Sequence, residues 1–547
     1  MPLLETSLLM GLVGAGCFFL YNNNKKKQND KTLKRKMSFT SLIQADQELW
    51  KEVMGREQQV VAVQLFFAEE NNNDNKDTTC PTRQDMLAVA TTLANHYERL
   101  RGIPDFTTKT FKDVADLETA LEKIVIYRDL ADDSVDGARK ELETLKAIPM
   151  VAKDEEGLEL PLWRVYVLGK RSIVVCIDHA LGDGLSFAAL LSLCATSDTD
   201  GQPLTLEQTS PVFKPILQLG DSGVRWYYRS LWWPPAFFRA FAALVKSMPS
   251  EREIPSPFFP KYLVDALSAK DPDKAIAQCK PGIPPEYFGT VYFCPVPLAL
   301  MKKLGLTITS LDSSSTRSGA TINDMIVACV TYAVKLYLEE SGTDTSSVEF
   351  MRFGFPVAVP KPPSYYLDPA EGMSLSFVPS FMKLPIQKQK FKDHLLFAHE
   401  QLVRLKKSGS PLLMKGIMGM MGTFLEPASM KDEFSKGLGK ASFVLSNVPG
   451  PSIPIRIADR RVSEMQVLVS NPFTMMQATS YAGDITLSVQ LDTRTATDAV
   501  ALADAFHRTI GIAAEELLND DKDPMVLSYL KRAKSFKSGP FLAAAKN

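Results

Sequence analysis

Histidine is scarce in this sequence and cysteine is unpatterned. Five histidines are spread over 547 residues. The seven cysteines (Cys17, Cys80, Cys176, Cys194, Cys279, Cys294 and Cys329) form no C-x-x-C pair and no Cys/His spacing suited to zinc. An odd, dispersed set of thiols predicts a reducing compartment without a disulfide framework. His394 and His399 are five apart on a predicted helix, so they face different ways and do not form an i, i+4 metal pair. The phosphate-cradling patterns G-x-x-x-x-G-K-[ST] and G-x-G-x-x-G are absent, as is the G-x-S-x-G elbow. Neither sign of charge dominates: 62 basic residues face 63 acidic ones, for a formal net charge of −1, so nothing favours nucleic acid. The expectation is chemistry with no metal and no nucleotide cofactor.

Long apolar runs are also rare. One covers residues 3–21, interrupted only by Glu5, Thr6 and Ser7. As a helix it would span roughly 28 Å, just enough for a hydrocarbon core of ~30 Å. Lys25, Lys26 and Lys27 follow it, then Lys34, Arg35 and Lys36, whereas a cleaved signal peptide carries its charge before the run. Residues 1–36 therefore read as a membrane anchor and basic linker, with a buried helix as the alternative. The positive-inside rule places the main body in the cytosol. At most one or two segments are long enough to span, which excludes a many-span membrane enzyme.

Residues 37–200 alternate between the two periodicities. Helices are expected at 38–56, 85–100 and 138–147, strands at 59–68, 162–168 and 171–177, and a helix-to-strand passage at 112–126. Such interleaving predicts a layered α/β fold. Residues 201–286 are richer in proline and polar residues. They contain an aromatic, basic stretch from Arg225 through Trp226, Tyr227, Tyr228, Arg229, Trp232, Trp233, Phe237, Phe238 and Arg239 to Val245. It reads as an interfacial membrane element, a core-packing cluster or the lining of an apolar channel. A second α/β body follows over 287–519, with helices expected at 298–304, 321–338, 391–407 and 496–518 and strands at 289–295, 350–359, 441–446 and 484–492. The polar tail, 520–547, is expected to be peripheral.

The chemistry is concentrated at Ser172-Ile-Val-Val-Cys-Ile-Asp178-His179-Ala-Leu-Gly-Asp183-Gly184. An apolar, β-branched run stops at a histidine, a Gly-Asp-Gly turn follows, and a helical pattern begins. A histidine at a strand end, one of only five, is a candidate acid–base group. The alternative is a turn with a half-buried histidine. No serine or cysteine nucleophile has a catalytic partner beside it in sequence, which favours direct transfer over a covalent intermediate.

Four landmarks occur in order: Pro161-Leu162-Trp163, the H-x-x-x-D-G hexad, Ala-Thr-Ile-Asn323-Asp324 opening a helix, and Ser-Asn447-Val-Pro449-Gly450-Pro451 after a late strand. In this order the sequence resembles the wax ester synthase/diacylglycerol acyltransferase family over roughly residues 38–518. The resemblance implies two chloramphenicol-acetyltransferase-like lobes with a tunnel between them, in addition to the N-terminal anchor. It also implies acyl transfer from acyl-CoA, a substrate rather than a cofactor, to a fatty alcohol or diacylglycerol, on an endoplasmic reticulum or lipid-droplet membrane. His179 would be the general base and Asn323 the amide donor for the oxyanion, with a helix N-cap as Asn323's alternative role. Asp183 would clamp the catalytic loop by pairing with an arginine. Gly184, Asp178 and Asp324 are the candidate substrate-side positions, and Asn447–Pro451 and Pro161–Trp163 read as a rigid turn and a strand start with an aromatic anchor.

Three positions depart from the family. Asp178 stands where the first of two adjacent histidines is usual, and would raise the pKa of the base where the two approach. Pro360 stands in place of an arginine and Met373 in place of an asparagine. Two other readings remain: a lipid-binding relative without turnover, and an acyltransferase for a soluble alcohol or amine. Soluble-acceptor relatives of the plant type carry a D-F-G-W-G motif that this chain lacks.

Overall fold

The computed structural model describes residues 37–46, 59–68, 80–249 except 232, 253, 256–275 except 273, 288–306, 319–346, 348, 350–424, 439–470, 473–518, and 520–542 except 521. The anchor and linker expected over 1–36 lie outside these. Among the described residues no helix is long and apolar enough to cross a membrane.

Two sheets organise the chain. The first has seven strands, ordered Val125–Arg128, Trp163–Leu168, Ser172–Asp178, Val60–Phe67, Arg460–Val469, Ile455–Ile457 and Ala195–Ser197. Its central strands are continuous apolar runs, as strands covered on both faces require. Helices α1 (Arg83–His96) and α2 (Gly184–Cys194) lie on one side of the sheet. Next come α3 (Phe213–Ser230) and α4 (Pro234–Ser247). The second sheet is ordered Phe377–Pro385, Phe350–Ala358, Phe443–Pro449, Met475–Tyr481, Asp484–Asp492, Phe288–Tyr292 and Phe541–Leu542. Helix α5 (Ile322–Glu340) runs through its core, buried almost all round, with α6 (Phe391–Ser408), α7 (Ser410–Phe424) and α8 (Ala499–Leu518) in the same half.

The expected boundary near residue 287 does not divide the sheets cleanly. Arg460–Val469 comes from late in the chain yet pairs with Val60–Phe67 in the first sheet, Val61 facing Val469. The hairpin that delivers it turns at Ala458 and Asp459, both at positive φ (47° and 59°), as a two-residue type I′ turn demands. The tail is not peripheral either. Helix Pro524–Ser535 buries Val526, Tyr529 and Ala533 along one face, and Phe541 pairs with Thr290 at the sheet edge. Apolar residues at helical spacing within a polar segment account for this difference.

Candidate active site

Strand Ser172–Asp178 pairs antiparallel with Val60–Phe67 and Trp163–Leu168. It ends at His179, whose backbone N–H donates to the Gln59 carbonyl at 2.9 Å. The chain then turns and Asp183 caps α2. The His179 Nδ1 lies 3.0 Å from the Gly182 carbonyl oxygen. A carbonyl only accepts, so Nδ1 carries the proton and Nε2 is left as the basic nitrogen. The ring lies near Phe377 and Phe187, with centroids 5.5 and 6.5 Å away. Burial holds the imidazole below its ordinary pKa of 6.5, opposed by its hydrogen bonds and the Asp183 charge. An imidazole acts as a base in its neutral form, so turnover that uses His179 in that way should have a kcat/KM flat through neutral pH that falls only as pH drops below 6.5. An acid limb above 6.5 in the pH–rate profile would contradict this environment.

The other histidines have structural partners. His394 lies between Thr331 Oγ1 and the Lys388 carbonyl, His507 Nε2 accepts from the Cys294 amide, His96 meets the Leu367 carbonyl, and His399 meets Asp324.

Asp183 is a clamp. Its Oδ1 accepts from Ser186 N and Ser186 Oγ, both at 2.9 Å, and its Oδ2 accepts from Ser376 N of the second sheet's half at 2.6 Å. Three cations feel its charge: Arg99, Lys361 and Lys415. Arg99 donates to the Ala180 carbonyl of the loop that follows His179. Lys361 follows Pro360 directly and supplies the buried cation: its Nζ donates to Gly372 O (2.9 Å), Ser374 Oγ (3.0 Å) and Ser186 Oγ (3.3 Å). Lys415 donates to Ser376 Oγ and Tyr228 Oη. Burial pushes both lysines down to about 8. Met373 is wholly buried, its Cε 3.1 Å from where a Cβ on Gly182 would lie. Gly372 has no room for a side chain, because a Cβ there would lie 2.4 Å from Tyr97 and 2.6 Å from the Tyr366 carbonyl.

Asp178 is buried and off the cavity wall, its Oδ1 accepting from Ala180 N at 2.7 Å. Neighbouring strand residues point to opposite faces, and the charge acting on His179 is that of Asp183. Burial raises the Asp178 carboxyl to about 7. Between the ordinary carboxylate value and about 7 the folded state therefore holds a proton that the unfolded state has lost, so this group makes stability fall as pH rises. Relative to wild type, Asp178→Asn should gain about 1–4 kcal/mol between pH 4 and pH 8 in denaturant titrations. A pH-independent difference would refute the shift.

Thr321 is the N-cap of α5 and forms a capping box with Asp324. This gives the cap to Thr321 rather than Asn323. It also occupies the Asp324 carboxylate, which accepts from Thr321 N and meets His399 at 3.0 Å; Asp324 is not on the cavity wall. The Asn323 Oδ1 accepts from Asn447 Nδ2 at 3.1 Å. Asn447 is the member of this pair that lines the cavity, together with Val448, Pro449, Gly450 and Pro451. The segment read as a rigid turn is therefore also wall. Its sequence signal was present, but the strand Phe443–Pro449 runs through it and turns Asn447 inward. Trp163 anchors as expected, its Nε1 donating to the Leu100 carbonyl at 2.7 Å, and it also borders the cavity.

The cavity has a volume of about 620 Å³ and walls from both halves. On one side it continues into the first lobe, between sheet residues Val63 and Val175 and helix residues Ala90 and Leu191. On the other it is bounded by Phe355, Phe377 and Val444 of the second sheet. His179 and Gly184 are on its wall, and a Cβ on Gly184 would lie 3.4 Å from Val448. A largely apolar hollow with one basic nitrogen and one oriented amide suits a long aliphatic substrate and a proton transfer.

No curated protein matches this chain in sequence. The fold is similar to a wax ester synthase/diacylglycerol acyltransferase from Marinobacter aquaeolei VT8 (TM-score 0.51, 15% identity, covering 88% of this chain and 99% of that one). It is also similar to the first condensation domain of the calcium-dependent antibiotic synthetase (0.52, 12%, 90% and 98%). A third likeness is to a trichothecene 15-O-acetyltransferase from Fusarium sporotrichioides (0.52, 10%, 88% and 94%). At these identities the likeness is one of fold. Residues 376–512 match the WS/DGAT C-terminal domain. The chain therefore carries a WS/DGAT C-terminal domain over residues 376–512, on a two-sheet fold similar to that of the Marinobacter enzyme.

Proposed function

We propose that this chain is an O-acyltransferase that moves a long-chain acyl group from acyl-CoA to a water-insoluble alcohol, either a fatty alcohol or diacylglycerol. The observation that carries the reading is His179, with Nδ1–H committed to the Gly182 carbonyl, on the wall of an apolar cavity between two halves of an acyltransferase-family fold.

Nε2 of His179 takes the proton of the acceptor hydroxyl as its oxygen attacks the thioester carbonyl. The resulting oxyanion is met by an amide N–H from the Asn323–Asn447 pair. Asn447 presents the donor, and Asn323 anchors it through Oδ1. Collapse breaks the C–S bond, and the CoA thiolate, with a pKa of roughly 8.5 by analogy with cysteine, leaves with little acid help and regains the proton from Nε2. The acyl group passes directly, with no acyl-enzyme. Asp183 holds the loop and touches no reacting atom. The catalytic body faces the cytosol, held at a membrane by residues 1–36.

The test is thiol release from palmitoyl-CoA by the purified full chain, with and without hexadecanol or dioleoylglycerol. Acceptor-dependent release supports the reading; none from folded protein in detergent or liposomes contradicts it and favours a lipid-binding role. Asn447→Ala should lower acceptor-dependent kcat by roughly 10–10³-fold with little change in KM, the signature of a donor that acts on the transition state. A change confined to KM would remove Asn447 from that role.

A further inference from the structure

Helices α3 and α4 present a face that is both apolar and cationic to solvent. Trp226 and Trp233 are each 69% exposed and Phe238 is 59% exposed, with Val245 and Leu219 also exposed. The two helices carry Lys214, Arg225, Arg229, Arg239 and Lys246, all exposed, against one carboxylate, Asp221. That carboxylate is already engaged by the backbone N–H and hydroxyl of Ser364. A water-facing surface does not ordinarily collect large aromatics in this way, and the charge around these is predominantly basic: Arg225 pairs with Asp221 and Lys214 with Glu207, at 3.7 and 3.3 Å, beside Arg229, Arg239 and Lys246.

The inward side of the same helices packs on elements that line the cavity. Phe237, Phe241 and Leu244 of α4 and Met414, Ile417 and Met418 of α7 pack on one shared core that includes Ala240 and Leu413, and Met418 lines the cavity. Thr209 and Val212, which precede α3, line it too. α4 is therefore linked to the substrate space through α7.

We infer that the α3–α4 face docks on the surface of an anionic bilayer. Trp226, Trp233 and Phe238 enter the interfacial layer, the arginines and lysines pair with lipid phosphates, and the cavity receives its acceptor from that layer. The occupant is a lipid surface because interfacial tryptophan with a basic rim is the chemistry such a surface recognises. Among the described residues no helix is long and apolar enough to cross; the contact proposed is an interfacial one, additional to whatever residues 3–21 provide. The docking stands independently of the acyltransferase reading; the delivery of acceptor rests on it.

The test uses the full chain and phosphatidylcholine vesicles with or without phosphatidylserine, their acyl chains brominated to quench tryptophan on contact. Wild type should be quenched more strongly with phosphatidylserine present. The pair Trp226→Phe, Trp233→Phe should lose most of that quenching, and Arg225→Gln, Arg229→Gln, Arg239→Gln, Lys246→Gln should lose the phosphatidylserine dependence. Quenching unchanged in the Trp pair overturns the proposal, as does a concentration-dependent dimer in sedimentation that shields these tryptophans, because a second copy would then own the face. Trp226→Ser, Trp233→Ser, Phe238→Ser should slow reaction with a bilayer-embedded acceptor severalfold and leave reaction with a detergent-dispersed acceptor unchanged. Loss of quenching without that split would retain docking and overturn delivery.

Discussion

Replacing His179 with alanine should lower acceptor-dependent thiol release by roughly 10²–10⁴-fold, the range that a positioned general base supplies. The protein should remain folded. The ring borders an existing cavity and its side-chain hydrogen bond is to the Gly182 carbonyl in the same loop, so its removal enlarges a space already there. Retained fold with lost turnover separates a catalytic histidine from a structural one. The other histidines cannot substitute, since His394 and His507 are core groups held neutral by burial, down to about 4, and both are hydrogen-bonded. Activity within a few-fold of wild type, with unfolding unchanged, would remove His179 from the chemistry.

Asp183→Ala should act mainly through stability. It removes the α2 cap, which alone contributes ~1 kcal/mol. It removes the acceptor for Ser376 N, which ties the catalytic loop to the opposite half. It also leaves Arg99 and Lys361 buried with Glu371 but without Asp183, the second carboxylate that offsets their charge. Breaking a buried charge arrangement from one side costs about 3–5 kcal/mol, and a comparable drop in denaturant-derived stability is expected. The pH dependence follows from the lysines. Their folded pKa values are already near 8, below the unfolded value, and fall further without Asp183. Above about pH 8 the folded state no longer carries those charges, so the deficit of the variant should shrink as pH rises. Asp183→Asn keeps an oxygen for the cap and should lose less. A loss of turnover with no loss of stability would instead give Asp183 a direct chemical role.

Where local pattern and burial agree, the sequence was readable. The strand 484–492 appears as Asp484–Asp492, and the run into His179 appears as Ser172–Asp178. Arg460–Val469 was not legible, because its turn is Ala458-Asp459 with no glycine to mark the positive φ, and its partner lies some four hundred residues earlier. Strand Phe377–Pro385, which carries Pro379 and Pro385, and the Met-rich α7 were also missed. The site divides in the same way. His179, Asp183 and Gly184 could be found because strand, turn and cap are local. Lys361 could not, because its burial depends on carbonyls and hydroxyls gathered from residues 186 and 372–374. Asn323 was weighed against a capping role that Thr321 holds, and Asn447 was hidden in a segment that reads as a turn.

The most direct measurement follows the product. Labelled palmitoyl-CoA is mixed with the full chain and hexadecanol or dioleoylglycerol, and the neutral lipids are separated. Labelled wax ester or triacylglycerol from wild type, and none from His179→Ala, is the predicted result. Labelled acyl-CoA bound by folded wild type, with no ester formed from either acceptor, would contradict it.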